Sequence, residues 1–319
     1  MTQPTAGQNA MQSLIACPRC HAALEREGSI QRCVDAECGA VYPMVGNVPI
    51  LIVEERSVFN FRDFSERKAT TFSESIPGKS KRAFRLRQLI PSNSRPVGDV
   101  SIDSFLNELP NPDSAVLVLG SGERTFRTHA QLDIIYTDVH LGPEVSVVVD
   151  AHDLPFPDGS LDAVVMDSVL EHVADPFRCA AEVVRVLKTG GRVFSITPFM
   201  QQVHLGRFDF TRFTYLGHRR LFRDFKEIHS GMMGGPGMAL AWAWQYFLLS
   251  FSENPKRRKY IRAFAKLTSF FLPLFDEHLK HKTGAYDGAS SFYFVGEKDP
   301  TPLSEREIIS LYRGLENIG

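Results

Sequence analysis

The sequence predicts an α/β protein with a doubly wound, mostly parallel sheet and a small cysteine-bearing module at its amino end. Three observations carry this. The block Asp150 to Phe199 reads strand, helix, strand; shorter apolar runs before it end in a glycine or an aspartate; and four of the five cysteines fall in two close pairs near the amino terminus. Parallel strands joined by a crossover helix bind their ligands in the crevice at the strands' carboxyl ends, so the polar residues at those ends are the binding candidates.

The elements follow in order. Ala115 to Leu119 is an apolar strand running into Gly120-Ser121-Gly122, where the missing side chains let the backbone approach a ligand. A helix-compatible stretch, Glu123 to Gln131, follows. Leu132 to Thr137 makes a second strand ending at Asp138 and Val139, and Val145 to Val149 a third ending at Asp150 and Ala151. Leu161 to Met166 is β-branched and apolar, as a strand buried on both faces requires, and it delivers Asp167 and Ser168. Asp175 caps the next helix, Pro176 suits its first turn, and Phe177, Ala180, Ala181, Val184 and Leu187 repeat at helical spacing. Gly190-Gly191 is expected to end that helix, and Arg192 to Ile196 to form the next strand. An acidic residue about 20 positions after a glycine turn commonly binds ribose hydroxyls, and Asp138 holds that place.

Residues 115–199 resemble the class I S-adenosylmethionine-dependent methyltransferases of type 11, the large group that includes the quinone-biosynthesis methyltransferases. VLVLGSG is similar to their first motif, DAHDLPFPDGSLDAVV to their adenine-side segment, and VLEHVADPFRCAAEVVRVLKTGGRVFSITP to their fourth strand, helix and fifth strand. A dinucleotide dehydrogenase would need a third glycine where Thr125 stands. The resemblance implies a seven-stranded Rossmann-like sheet and S-adenosylmethionine as cofactor. It places Gly120, Ser121 and Gly122 along the methionine moiety, Asp138 with Val139 at the ribose, Asp150-Ala151 at the adenine, and Asp167 and Ser168 beside the reacting centre. Two positions depart from the family: Val118 stands where an acidic residue is usual and Arg124 where a glycine is common. Glu123 is a candidate substitute for the missing carboxylate.

Cys17-Pro18-Arg19-Cys20 and Cys33 to Cys38 have the spacing of two knuckles of a structural Zn2+ site, in which four thiolates satisfy a tetrahedral ion. The first twelve residues lack the basic start and apolar run of a secretory signal, which favours zinc over disulfides and a cytoplasmic location, with the inner membrane face as a peripheral option. Together with Val41-Tyr42-Pro43 and Val48 to Ile52, this module resembles the zinc-ribbon proteins that activate tRNA methyltransferases. Closed four-cysteine sites stabilise rather than react. Cys179, on the crossover helix, reads as core.

The expected organisation is therefore a disordered tail over 1–11, a zinc ribbon over 12–54, a partly helical connection over 55–98, the methyltransferase domain over 99–300 with an apolar helical insertion near 237–280, and a carboxyl-terminal helix over 301–319, where Ser304 and Glu307 form a capping box. With 36 basic and 37 acidic side chains, charge argues against nucleic acid as a partner, and the basic runs at 79–87 and 256–259 read as solvated faces. The stretches Gly237 to Phe251 and Ile261 to Phe275 are apolar but fall short of the roughly 18 residues that suggest a membrane span. They are expected to pack on the sheet or between copies of the chain, or to cover a lipid-linked acceptor at a membrane surface.

After the fifth strand, His204 to Thr214 mixes aromatic with charged residues beside the active edge. With Leu216 to Phe225 and Gly234-Gly235-Pro236, it resembles methyltransferases of saccharide and cell-surface polymer pathways. If the acceptor is a hydroxyl, the candidates for its base are His204, then Asp209 and His172. The leading expectation is O-methylation of a small-molecule, saccharide or lipid-linked acceptor. RNA methylation guided by the ribbon, and a scaffold without catalysis, are the alternatives.

Overall fold

The computed structural model describes residues 14–66, 94–126, 128 and 131–316. The expected amino-terminal tail and the basic run at 79–87 lie outside the described residues.

The expected mixed α/β sheet forms, but with eleven strands rather than seven. β1 (Leu24–Glu27), β2 (Ile30–Cys33), β3 (Val41–Val45) and β4 (Val48–Leu51) make an antiparallel meander. β4 then pairs in parallel with β7 (Val147–Val149), through Ile50 with Val148 and Leu51 with Val149. From β7 the sheet continues through β6 (Asp133–Asp138), β5 (Ala115–Leu119), β8 (Leu161–Asp167) and β9 (Leu187–Pro198), all parallel. It closes with antiparallel β11 (Ser291–Lys298) and β10 (Phe225–Gly234). The seven-strand expectation treated the cysteine module as a separate body. The run Ile50-Leu51-Ile52-Val53, at most 4% exposed, is too apolar to remain an edge, and β7 offers it unpaired backbone groups and a buried partner.

Helices pack on both faces of the sheet. α1 (Phe61–Ser65) follows the meander and is capped by Asn60 and Asp63. α2 (Ile102–Asn107) buries Phe105 and Leu106 against Val116, Val118 and Val165 on one face. On the other, α3 (Pro176–Val186) and α4 (Tyr215–Leu221) bury Val183, Val186 and Leu221. That second core also takes in Ile15, Cys17, Cys33 and Tyr42 from the cysteine module, together with Leu154 and Phe156. Each fully buried side chain of this size contributes about 1.5–3 kcal/mol, so the module is held by shared core as well as by strand pairing.

Local differences from expectation have local causes. α3 ends at Val186, and β9 begins at once and runs through Gly190-Gly191 with a register break opposite β8. The glycines serve a bulge rather than a helix stop, since a Cβ on Gly191 would lie 2.9 Å from the Lys188 carbonyl oxygen. Glu123 to Phe126 forms a turn and coil instead of the expected helix. β10 was not anticipated, because its sequence FKEIHSGMMG carries no clear alternation. Beyond it, α5 (Pro236–Leu249) starts where the buried Asp276 carboxylate accepts the Gly237 and Met238 amides at 2.7 and 2.8 Å. α6 (Pro255–Ser269) packs on α5. No helix among the described residues is long and apolar enough to cross a membrane.

Candidate functional site

The two cysteine pairs converge. The Cys17 and Cys38 sulfurs are 3.8 Å apart and those of Cys20 and Cys33 3.4 Å, with all four within 4.8 Å of one another. All are free thiols. A tetrahedral ion with metal–sulfur bonds of about 2.3 Å places its sulfurs about 3.8 Å apart, so the four residues fit a metal ion. Each knuckle is shaped by its own backbone, the Cys17 amide donating to Ala22 and the His21 amide to Cys17, while the Cys33 amide donates to Ala40. The Tyr42 hydroxyl lies 3.1 Å from the Cys17 sulfur.

A second centre forms at the carboxyl edge of the parallel strands. Gly120 and Gly122 sit at φ of +64° and +59°, and a Cβ on Gly120 would lie 2.7 Å from Val169 Cγ2. These positions therefore require glycine. The Gly122 amide donates to Asp138 Oδ2 at 2.8 Å, tying the loop after β5 to the end of β6, and His140 Nδ1 sits 2.6 Å from Asp138 Oδ1. That hydrogen bond raises the His140 pKa. Asp150 accepts from the His152 amide at 3.0 Å and pairs with His152 Nδ1 at 2.6 Å. Because the Asp175 amide donates to His152 Nε2 at 3.0 Å, the imidazole carries its proton on Nδ1 and gives it to Asp150. Burial pulls the Asp150 carboxyl upward, but the bonds from His152 and Ser57 outweigh it and leave its pKa below the usual range.

Gly120, Gly122, Asp138, Val139, Asp150, Ala151 and Ser168 all line one cavity, with His152 and His172. Ser121 is buried and, like Asp167, lies outside its lining, with Asp167 paired with Arg124. Ser168 adopts φ of +62°, a strained value for a residue with a side chain. Val118 points into the α2 core, 2% exposed, where a carboxylate would be desolvated. Exposed Glu123 borders a neighbouring groove with Arg124 rather than this cavity. Sequence reasoning missed the cavity's other wall. Val58 and Phe59, just past the cysteine module, line it, Ser57 Oγ donates to Asp150 Oδ2 at 2.5 Å, and Phe59 stacks on Phe208 at 5.8 Å between centroids.

The expected acid–base candidates also come together, around a residue that sequence reasoning passed over. Glu171 is fully buried, with neither carboxylate oxygen hydrogen-bonded among the described residues, and burial pushes its pKa up to about 8. His172 Nε2 is 3.6 Å and His204 Nε2 3.8 Å from Glu171 Oε1, and the two imidazoles meet edge to face at 4.8 Å. The loop carrying His204 is pinned here by the Phe210 and Thr211 amides, which donate to the Glu171 carbonyl oxygen. His172 Nδ1 donates to the Phe208 carbonyl oxygen at 2.8 Å, which leaves Nε2 unprotonated, and burial lowers the pKa of both histidines. Asp209 behaves differently. Burial would raise its pKa, but Arg212 and the His204 amide hold it down to about 2. It is a fixed anion that anchors the loop. The available signal for Glu171 was an acidic residue inside the apolar run Val169-Leu170-Glu171-His172-Val173.

Asp209 and Phe210, which hydrogen-bond to His204 and Glu171, also border a cleft of about 860 Å³ with Met200, Gln202, Leu240 and Tyr246 among others. The edge thus presents a cavity lined in part by His172 and a cleft bordered by the loop that carries His204.

Comparison with known proteins places this edge. Residues 123–195 match the family model of a methyltransferase domain. Over 52 residues the chain is 52% identical to an uncharacterized 37.1 kDa protein of transposon TN4556 from Streptomyces fradiae, covering 16% of this chain and 15% of that protein. Over 95 residues it is 34% identical to the demethylmenaquinone methyltransferase of Renibacterium salmoninarum, covering 26% of this chain and 40% of the relative. The chain thus spans less than half the length of these curated relatives. Among solved structures it is similar to phosphoethanolamine N-methyltransferase 2 of Haemonchus contortus in complex with phosphomonomethylethanolamine and S-adenosylhomocysteine, with 15% identity, a TM-score of 0.45, and coverage of 76% of this chain and 61% of that one. The matched segment runs from β6 through most of β9 and includes Asp138, Asp150 and Ser168 of the cavity lining.

Proposed function

We propose that this chain is an S-adenosylmethionine-dependent methyltransferase acting on a hydroxyl of a small-molecule, saccharide or lipid-linked acceptor, with Zn2+ held by Cys17, Cys20, Cys33 and Cys38. The observation that carries the reading is the cavity itself, where the positive-φ glycines Gly120 and Gly122 meet Asp138 and Asp150 from neighbouring strand ends, the two aspartates lying inside the matched methyltransferase segment and the glycines just before it. Asp138 suits paired ribose hydroxyls and Asp150-Ala151 the adenine edge. When bound, S-adenosylmethionine supplies the electrophilic methyl group. The protein's part is then alignment and exclusion of water, for which Phe59 and Phe208 close one side.

The acceptor enters from the cleft, whose lining combines apolar Met200, Phe210 and Leu240 with polar Gln202 and Arg212. The hydroxyl would pass its proton to His172 Nε2 as its oxygen took the methyl group, whose bond to the sulfonium sulfur would break to leave a neutral thioether. His172 lines the cavity, and its Nε2 is unprotonated, 3.6 Å from the buried Glu171 carboxyl. Transfer of label from methyl-labelled cofactor to a panel of sugar nucleotides, lipid-linked saccharides, quinone precursors and RNA tests the reading. Label in hydroxyl acceptors, with kcat lost in His172→Gln at unchanged cofactor affinity, supports it. Transfer only to RNA, or to none of the panel, counts against it.

A further inference from the structure

The face formed by α5 and α6 carries a pattern that the cofactor site does not use. On α6, Tyr260, Phe264 and Leu267 are 76, 55 and 66% exposed, and Phe271 continues the row at 44% just beyond the helix. Their spacing of four, three and four residues puts them on one face. A core-facing stripe would be buried, and here the buried side of the helix is marked instead by Ala265 and Ser269. Trp244 Nε1 donates to Thr268 Oγ1 at 2.9 Å, and Trp244 stacks on Phe247, which meets Phe251 edge to face. Thr268 lies one turn from Phe264, so the exposed rings of the two helices form a continuous surface.

The same helix bears Lys256, Arg257, Arg258, Lys259, Arg262 and Lys266 and no acidic residue, although the whole chain has a formal charge of −1. We propose that this face docks on an anionic lipid bilayer, with the aromatic row at the acyl boundary and the cations at the headgroups. Charge selects this occupant over a second copy of the chain, since two-fold pairing through α6 would set one cationic helix against another. The placement also suits the cleft. Leu240 of α5, 57% exposed, lines its mouth, so a docked molecule presents the cleft to an acceptor whose apolar tail stays in the membrane. This last step rests on the proposed transferase reading; the docking itself does not.

Flotation of the zinc-loaded full chain with phosphatidylcholine vesicles, with and without 30% phosphatidylglycerol, tests the proposal. At roughly fivefold per basic residue near an anionic surface, Lys256→Gln/Arg257→Gln/Lys259→Gln should weaken binding by about a hundredfold. Phe264→Ser/Leu267→Ser should weaken binding to both vesicle types. Both variants should bind S-adenosylhomocysteine as the unchanged chain does, so that loss of docking and failure of the transferase reading register separately. Failure of the folded chain to float with anionic vesicles at low salt would overturn the proposal. So would floating that neither variant reduces, or a self-associating chain that these substitutions render monomeric without any lipid binding.

Discussion

Glu171→Gln should stabilise the protein selectively at alkaline pH. The Glu171 carboxyl is fully buried and its oxygens are unpaired among the described residues, which lifts its pKa from 4.5 to about 8. The sign follows from linkage. Between those two values the folded chain holds a proton that the unfolded chain has released, so unfolding free energy falls as pH rises, by up to about 1.36 kcal/mol per pH unit. Stability is complete below about pH 4.5 and most depleted above about pH 8. Over the whole interval the loss is on the order of 5 kcal/mol, and about 3 kcal/mol of it falls between pH 5.5 and 8.5. A glutamine keeps the shape of the neutral acid and does not titrate. Its own amide imposes an offset common to both pH values, which cancels when the two are compared. Urea unfolding of both proteins at pH 5.5 and 8.5 measures the change. The advantage of the variant over the parent should grow by roughly 3 kcal/mol from the lower to the higher pH. Parallel dependences would refute the picture of a buried, unpaired carboxyl and would mean that Glu171 has a partner that ionises with it.

Other consequences follow from the way the cysteine module joins the sheet. Because β4 pairs with β7 and the module shares a core with Leu154 and Phe156, a zinc chelator or Cys20→Ser should lower thermal stability by several degrees and also abolish cofactor binding, read by differential scanning fluorimetry with and without S-adenosylhomocysteine. A chelated chain that still gains stability from the ligand would show that the two sites are independent. Phe59→Ala removes a wall of the cavity and its stack on Phe208. A loss of about 1 kcal/mol for such a ring pair predicts roughly five- to tenfold weaker S-adenosylhomocysteine binding by calorimetry, and unchanged affinity would remove Phe59 from the site.

The parallel part of the fold was legible because its signals are local. Ala115–Leu119 was bounded correctly to the residue, and Asp175 and Ser304 cap the helices that their spacing implies. Glycine and aspartate at successive strand ends likewise pointed to one edge, where Gly120, Asp138 and Asp150 indeed line a single cavity. What escaped depends on contacts between distant segments. The junction of Ile50 and Leu51 with β7, and the reach of Ser57 to Asp150, span 98 and 93 positions, and neither has a periodicity to betray it. Gly190-Gly191 carried a true signal that was assigned to a helix stop, because a glycine pair looks the same before a bulge as after a helix. Glu171 was overlooked between two histidine candidates because only burial makes its carboxyl unusual. The same geometry changed the standing of Asp209, whose ion pair with Arg212 holds it ionised.

The central claim is that the cavity at the ends of β5, β6 and β7 binds S-adenosylmethionine through Asp138. Calorimetric titration of the folded, zinc-loaded chain with S-adenosylhomocysteine tests it most directly, beside Asp138→Ala. Loss of charge-assisted bonds worth about 2 kcal/mol or more predicts saturable one-to-one binding by the parent and binding at least about thirtyfold weaker by the variant. No saturable binding by the parent, or equal affinity in both proteins, would contradict it.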